Sequence, residues 1–299
     1  MAQNVLSQLS QSQRDRLRHV ELRLRFLGEV RRADLMDRFG VQSAAASRDL
    51  SLYKDLAPGN VGYDARGKRY LLGPEFQPLF EVRTEKVLSW LTEQLGDVSG
   101  PTTDPLLPCV TPSRLTAAHA DMVAHVTRAI HAGQALEIGY HSISSGAGRR
   151  EIVPSGLIDT GLRWHVRAFD RKTSTFRDFV LTRIADACLC LEAGPRRHEL
   201  AENDIQWTRI VELDLVPHPD RPRPEITRMD YGMRDSFLRL KVRAALAGYV
   251  MRQWSVDCSP DHRLMGPEHR LWLKNHAALH GVDTAILAPG YLAGAELRA

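Results

Sequence analysis

Residues 140–184 read YHSISSGAGRREIVPSGLIDTGLRWHVRAFDRKTSTFRDFVLTRI, and this stretch decides the fold of the middle of the chain. Short runs rich in β-branched and aromatic residues alternate with Gly, Ser, Thr and Asp clusters. Together with its flanks the stretch predicts five short strands, ALEIGYHS, REIVPSGLID, LRWHVRAFD, TFRDFVLTRI and ACLCLE, within 135–192. Such spacing implies a compact antiparallel sheet or a small barrel. The segment SSGAGRR (144–150) does not lead from a strand into a helix, so it reads as a hairpin loop and not a phosphate-binding loop. Cys188 and Cys190 alternate with leucines and are expected as small buried hydrophobes.

The same stretch carries Arg149, Arg150, Arg163, Arg167, Arg171, Arg177 and Arg183. Strand alternation places His165 with Arg167, Arg177 with Arg183, and Tyr140 with Ser142 on shared faces. Charges inside strands are costly unless they are paired or face a wet groove. Between 140 and 184 four acids (Glu151, Asp159, Asp170, Asp178) stand against eight bases. Several arginines are therefore expected to lack partners and to line a concave anion site. The alternative is a set of edge strands whose arginines face outward.

Upstream, residues 30–55 read VRRADLMDRFGVQSAAASRDLSLYKD. A short helix, Ala33–Phe39, is expected to stop at Gly40, which can take the left-handed conformation of a tight turn. Val41 plugs the angle, and Ser43 caps a second helix, Ala44–Tyr53, whose first turns are small and polar. A helix entering the major groove needs such a face, with Ser43, Ser47 and Arg48 able to reach it. Then VGYDARGKRYLL (61–72) reads as a hairpin wing with Gly67 at its turn. Its basic residues Arg66, Lys68 and Arg69, with Lys54 of the helix, suit phosphates. The first 75 residues hold 13 Lys+Arg against 9 Asp+Glu, while the rest of the chain carries equal numbers. The net +4 charge thus lies wholly at this end, as a nucleic-acid-binding domain would have it.

Residues 96–112, GDVSGPTTDPLLPCVTP, read as a linker, and a helix is expected over 113–132 from a Ser113 cap to Gly133. The polar stretch 193–206 is a second joint. PHPDRPRP (217–224), with four prolines, excludes a helix interior or central strand. Beyond it, ELDLVPH and FLRLKVR look like strands, and AALAGYVMRQW and PEHRLWLKNHAALHG like helices, an α+β pattern. Tyr249, Trp254 and Trp272 are expected in a core or dimer contact. His276 and His280 have the spacing of two zinc ligands on a helix but no third partner, so no metal is expected. No Walker A, GxGxxG or GxSxG pattern occurs, and neither cofactor nor catalysis is expected. No run of eighteen apolar residues or apolar leader is present, and four cysteines without a CxxC fit a reducing compartment, so a cytoplasmic protein is expected.

The order of residues in 140–184 resembles a WYL domain, an Sm-like (SH3-like) β-barrel of bacterial transcription regulators. Tyr140 and Ser142 match the opening element, Arg150 and Pro154 the next, and Arg177–Phe179 and Arg183–Ile184 the closing ones. Trp164, His165 and Val166 stand where the naming tripeptide would, with Tyr and Leu replaced. LVPHPDRP, ITRMDYGM and VRAALAGYVMRQWSVDCS resemble the phage-defence branch, the CapW and BrxR type of dimeric repressors that control CBASS and BREX operons. The resemblance implies an α+β chain of four parts: a winged helix-turn-helix domain (1–95), a linker and connecting helix (96–133), a WYL sensing domain (134–194) and an α+β dimerisation domain (205–299). It also implies a homodimer on a palindromic double-stranded operator, and an anionic nucleic-acid or nucleotide effector bound by Tyr140, Ser142, Arg150, Trp164, His165, Arg167, Arg177 and Arg183. Two alternatives stay open, a WYL-type activator and a nucleic-acid-processing enzyme.

Overall fold

A computed structural model describes residues 2–93, 106–108, 115–190 and 194–292, in two compact units, 1–112 and 113–299. The first unit opens with α1 (Ala2–Gln8) and α2 (Gln11–Leu27), the latter capped by Ser10, whose hydroxyl accepts from the Gln13 amide at 3.2 Å. After β1 (Glu29–Val30), α3 (Arg32–Phe39) and α4 (Ser43–Leu56) form the helix-turn-helix around Gly40, whose φ is +62°. Gln42 occupies the cap position of α4, so Ser43 is its first helical residue and makes no cap. Leu17, Val20 and Leu24 of α2 meet Leu35 of α3 and Ala46, Leu50 and Tyr53 of α4 in one core. The spacing within α2 and α4 is the one-sided helical period that such a core requires.

A buried carboxylate ties this core to the wing. Glu21 accepts from the Tyr53 hydroxyl at 2.9 Å and from the amides of Leu79 and Phe80 at 2.8 and 2.9 Å. Asn60 bonds Tyr53 in turn, and both donates to and accepts from the Gln77 backbone. The wing strands β2 (Val61–Asp64) and β3 (Arg69–Leu72) pair with each other and with β1, and α5 (Thr84–Glu93) follows. At the wing tip the left-handed residue is Lys68 (φ +50°) and not Gly67. Gly67 is closely approached instead: a Cβ there would lie 2.5 Å from an oxygen of the Asp64 side chain, which would have to shift.

In the second unit α6 (Ala120–Ala132) ends at left-handed Gly133. It begins later than expected; Ser113 lies outside the described residues. Five antiparallel strands follow: β4 (Leu136–Ser142), β5 (Gly146–Asp159), β6 (Trp164–Asp170), β7 (Thr175–Val180) and β8 (Ile184–Leu189). Their order is β7-β6-β5-β4-β8, so consecutive strands β7 and β8 lie at opposite edges of the sheet. Only the 3-10 turn Leu181–Arg183 joins them. Three extended residues span about 10 Å, whereas four strand spacings in a flat sheet span roughly 19 Å. The sheet must therefore curl until its edges approach, which is the barrel architecture. Arg183 sits in that turn and not on a strand face with Arg177, a correction to the alternation argument. Cys188 is exposed, also against expectation.

The remainder is α7 (Ile205–Thr208), β9 (Ile210–Pro217), α8 (Pro224–Asp230), β10 (Leu238–Arg243), α9 (Ala244–Gln253) and β11 (Leu271–Leu273), the strands ordered β10-β9-β11. Pro217 ends the central strand, opposite Leu271, where the sequence excluded one; the next amide, His218, bonds Arg270. Residues 267–281 hold β11 and a 3-10 turn, His276–Leu279, instead of the expected helix, which removes the helical basis for pairing His276 with His280. Val211, Leu213 and Leu215 alternate inward against Ala244, Ala247 and Met251 of α9.

Candidate effector cavity and nucleic-acid interface

Burial of Ala46, Leu50 and Tyr53 turns the opposite face of α4 outward, exposing Ser43, Ala44, Arg48 and Lys54. Ser47 is half-buried and accepts from Arg32 at 3.2 Å, which holds that guanidinium beside the face. Behind the helix Arg16 grips Asp49, which is 2% exposed, at 2.5 Å. On the wing Arg66 and Lys68 are exposed and without a described acidic partner. Arg69 differs: it pairs with Asp64 at 3.1 Å and Glu29 at 2.6 Å, so it braces the wing against β1.

In the second unit a cavity of about 500 Å³ opens between the curled sheet and α9. Tyr140, His165, Asp178 and Arg183 line it from the sheet and its turn, with Thr160 and Arg163 at one rim. Tyr249, Arg252 and Gln253 come from α9. His165 and Tyr249 face each other with ring centroids 5.4 Å apart and planes tilted by 33°. The Tyr249 hydroxyl donates to Asp178 at 2.9 Å, and burial with that neighbouring carboxylate pushes the phenol pKa up. Burial, with Arg163 and Arg183 nearby, holds His165 below its ordinary pKa against the opposing pull of Asp178. The imidazole is therefore neutral near pH 7.

Sharing Tyr140 and Asp178, a second pocket of about 160 Å³ is lined by Ser142, Ser144, Ser145, Arg150 and Arg177. Arg150 and Arg177 both lie 3.9 Å from fully buried Asp170. The eight sequence-chosen residues thus divide. Tyr140, His165 and Arg183 line the large cavity; Tyr140, Ser142, Arg150 and Arg177 line the small one. Trp164 lines neither, pointing into an apolar recess with Leu157 and Leu181. Arg167 lines neither as well: it is 3% exposed and ion-paired with Asp178 at 3.1 Å and Asp204 at 2.7 Å. Arg149 pairs with Asp186, and Arg171 with Glu151 and Glu199. Among the described residues, the expectation of many unpaired arginines narrows to Arg163 and Arg183. Sequence reasoning missed Tyr249, Arg252 and Gln253, whose one-turn spacing on a helix was their only signal.

Among the described residues no group of three His, Cys, Asp or Glu is placed to hold a metal, and no helix is long and apolar enough to cross a membrane. Family descriptions match three segments: the BrxR transcriptional regulator winged helix-turn-helix domain at 12–93, the WYL domain at 121–189, and the BrxR C-terminal dimerization domain at 210–279. The DNA-binding transcriptional repressor CapW of Escherichia coli is 31% identical over 283 residues, 90% of this chain and 91% of that protein. CapW of Stenotrophomonas maltophilia is 32% identical over 84% of this chain and 86% of its own, and CapW of Pseudomonas aeruginosa 30% over 82% and 83%. Among solved structures, the proteasome accessory factor B/C of Arthrobacter aurescens aligns with 90% of this chain and 46% of its own, at 19% identity and a TM-score of 0.30. The chain belongs to the CapW and BrxR type of WYL-domain transcriptional regulators.

Proposed function

We propose that this protein is a homodimeric, sequence-specific repressor that binds a palindromic operator and is released from it by an anionic nucleotide or nucleic-acid effector. The observation that carries the reading is its likeness over about nine-tenths of its length to a protein named a DNA-binding transcriptional repressor. Ser43, Ser47 and Arg48 face the major groove, while Lys54, Arg66 and Lys68 take phosphates. Arg69 holds the wing in shape. The C-terminal domain pairs two copies, which sets half-sites one or more turns of about 10–10.5 bp apart. The effector enters the large cavity between the WYL barrel and α9, and the operon controlled is a phage-defence operon of the CBASS or BREX kind. Repression takes place in the bacterial cytoplasm, without catalysis.

A mobility-shift titration against DNA upstream of its own operon, with non-specific competitor and two salt concentrations, tests this. A discrete, salt-sensitive shift relieved by a nucleotide or short single strand supports both halves. A specific shift that none relieves removes the effector, and no specific shift removes the repressor.

A further inference from the structure

The arginines of the large cavity remain unexplained by the folded chain alone. Arg163, Arg183 and Arg252 line it, and none has an acidic partner among the described residues. Asp178, the one carboxylate in the wall among the described residues, is already committed to Arg167 and the Tyr249 hydroxyl. His165 is only 6% exposed, yet its Nδ1 is buried without a hydrogen-bond partner. That nitrogen has essentially no accessible surface, so what the imidazole offers the cavity is its ring and not this atom. The His165–Tyr249 pair also presents a ring platform, with the Gln253 amide and Thr160 hydroxyl within the same lining.

Guanidinium groups without acids select phosphate or carboxylate, and a ring platform selects a flat heterocycle. The volume of about 500 Å³ falls within the range of about 300–1,000 Å³ typical of small-molecule sites. We infer that the effector is a single small nucleotide, its base against His165 and Tyr249 and its phosphate on Arg163, Arg183 and Arg252, so that helix α9 of the C-terminal domain supplies part of the site. This rests on the effector reading above and narrows it. The effector is small and not a polymer, and part of its selectivity is encoded outside the WYL segment. Occupancy is thereby felt directly by the domain that pairs the two copies.

Calorimetric titration of the full-length protein tests it, using the four ribonucleoside 5′-monophosphates, the matching nucleosides, inorganic phosphate and a 12-nucleotide single-stranded DNA. The variants are Arg252→Gln, at an exposed helix position, and Arg150→Ala, in the small pocket. The expected result is that one monophosphate binds, its nucleoside at least tenfold more weakly, and that Arg252→Gln weakens it at least tenfold while Arg150→Ala changes it less than threefold. Binding that Arg150→Ala abolishes and Arg252→Gln leaves intact would overturn the assignment of the site while keeping the effector. Binding of the 12-mer alone would overturn the small-nucleotide class. Phosphate binding as tightly as any nucleotide would overturn the ring platform. If no probe binds, this inference falls; an operator shift that some other anionic nucleic-acid ligand still relieves would then leave the broader effector reading standing.

Discussion

Arg167 of β6 grips Asp204, the cap of α7, through two parallel bonds, Nε to Oδ2 at 2.7 Å and Nη2 to Oδ1 at 3.0 Å. The same guanidinium donates to Asp178 at 3.1 Å, which accepts from Tyr249 of α9. Asp204 also accepts from the amides of Gln206 and Trp207, starting the α7 turn that leads into the C-terminal domain. One buried cation thus joins the barrel to two helices that follow it. Alternation within β6 finds the face correctly but cannot tell a ligand contact from a structural clasp.

Arg167→Ala is therefore expected to destabilise the protein before it says anything about the effector. Removing one member of a buried ion pair leaves charge uncompensated and costs about 3–5 kcal/mol. For a unit of this size that is a fall in Tm on the order of 10 °C. Differential scanning calorimetry of the variant checks it. A Tm within 2 °C of wild type, by a rough threshold set from the same scaling, would show that the clasp is not needed.

On the DNA side, Arg48→Ala is expected to weaken operator binding about ten- to a hundredfold while leaving Tm and dimerisation unchanged, since its side chain is exposed. Lys68→Ala should reduce the slope of log K against log salt by about 0.9, the loss of one released counterion. Arg69→Ala should leave that slope nearly intact, because its charge is spent on Asp64 and Glu29. Filter binding at several salt concentrations separates the three; equal slopes for Lys68→Ala and wild type would take the wing tip off the phosphates.

Much of this was legible because the local signals are strong. Gly40 punctuates two amphipathic helices, and turn clusters separate period-2 strands, so both the winged helix and the barrel strands follow from short windows. The arginine partners were not legible for a plain reason. Arg167 and Arg171 each pair with one acid inside 140–184, Asp178 and Glu151, and with a second that lies outside it, Asp204 and Glu199; the close partner of Arg149, Asp186, lies outside it too. The missed cavity wall is equally non-local, since Tyr249 and Arg252 meet His165 only after a whole domain has folded back. Residues 267–281 misled because a three-residue strand such as Leu271–Leu273 is too short to display its period.

Acid should reach the C-terminal domain through Asp257. Its burial opposes ionisation, but bonds from the Ser259 hydroxyl and amide, the Leu264 amide and His218 outweigh that and hold its pKa below the ordinary 3.8. A depressed carboxyl pKa contributes stability that is complete above the unfolded value and fades as pH falls through the folded one. Wild-type Tm should therefore start to drop as pH falls below about 4. Asp257→Asn should lower Tm at pH 7 and flatten that acid limb. An unchanged acid limb in the variant would place the sensitivity elsewhere.

Gly248 of α9 lies against the 3-10 turn Asp283–Leu287, and a Cβ there would stand 1.7 Å from the Thr284 carbonyl oxygen. Two effects oppose each other in Gly248→Ala. Helix propensity favours alanine by about 1 kcal/mol in a helix interior. The overlap is with backbone, so no rotamer relieves it, and separating the elements disturbs the bonds from Gly248 to Thr284 and from Thr284 to Ala244. Overpacking of this kind costs about 1–3 kcal/mol, so the steric term should win and Tm should fall. The consequence extends to function, because α9 carries Tyr249 and Arg252 and the turn carries Leu287, all lining the large cavity proposed for the effector. Gly248→Ala should thus weaken effector binding while Arg48 and the wing, in the other unit, keep their hold on DNA. A variant as stable as wild type would mean that the turn yields at no cost, and the cavity wall would then be adjustable instead of fixed.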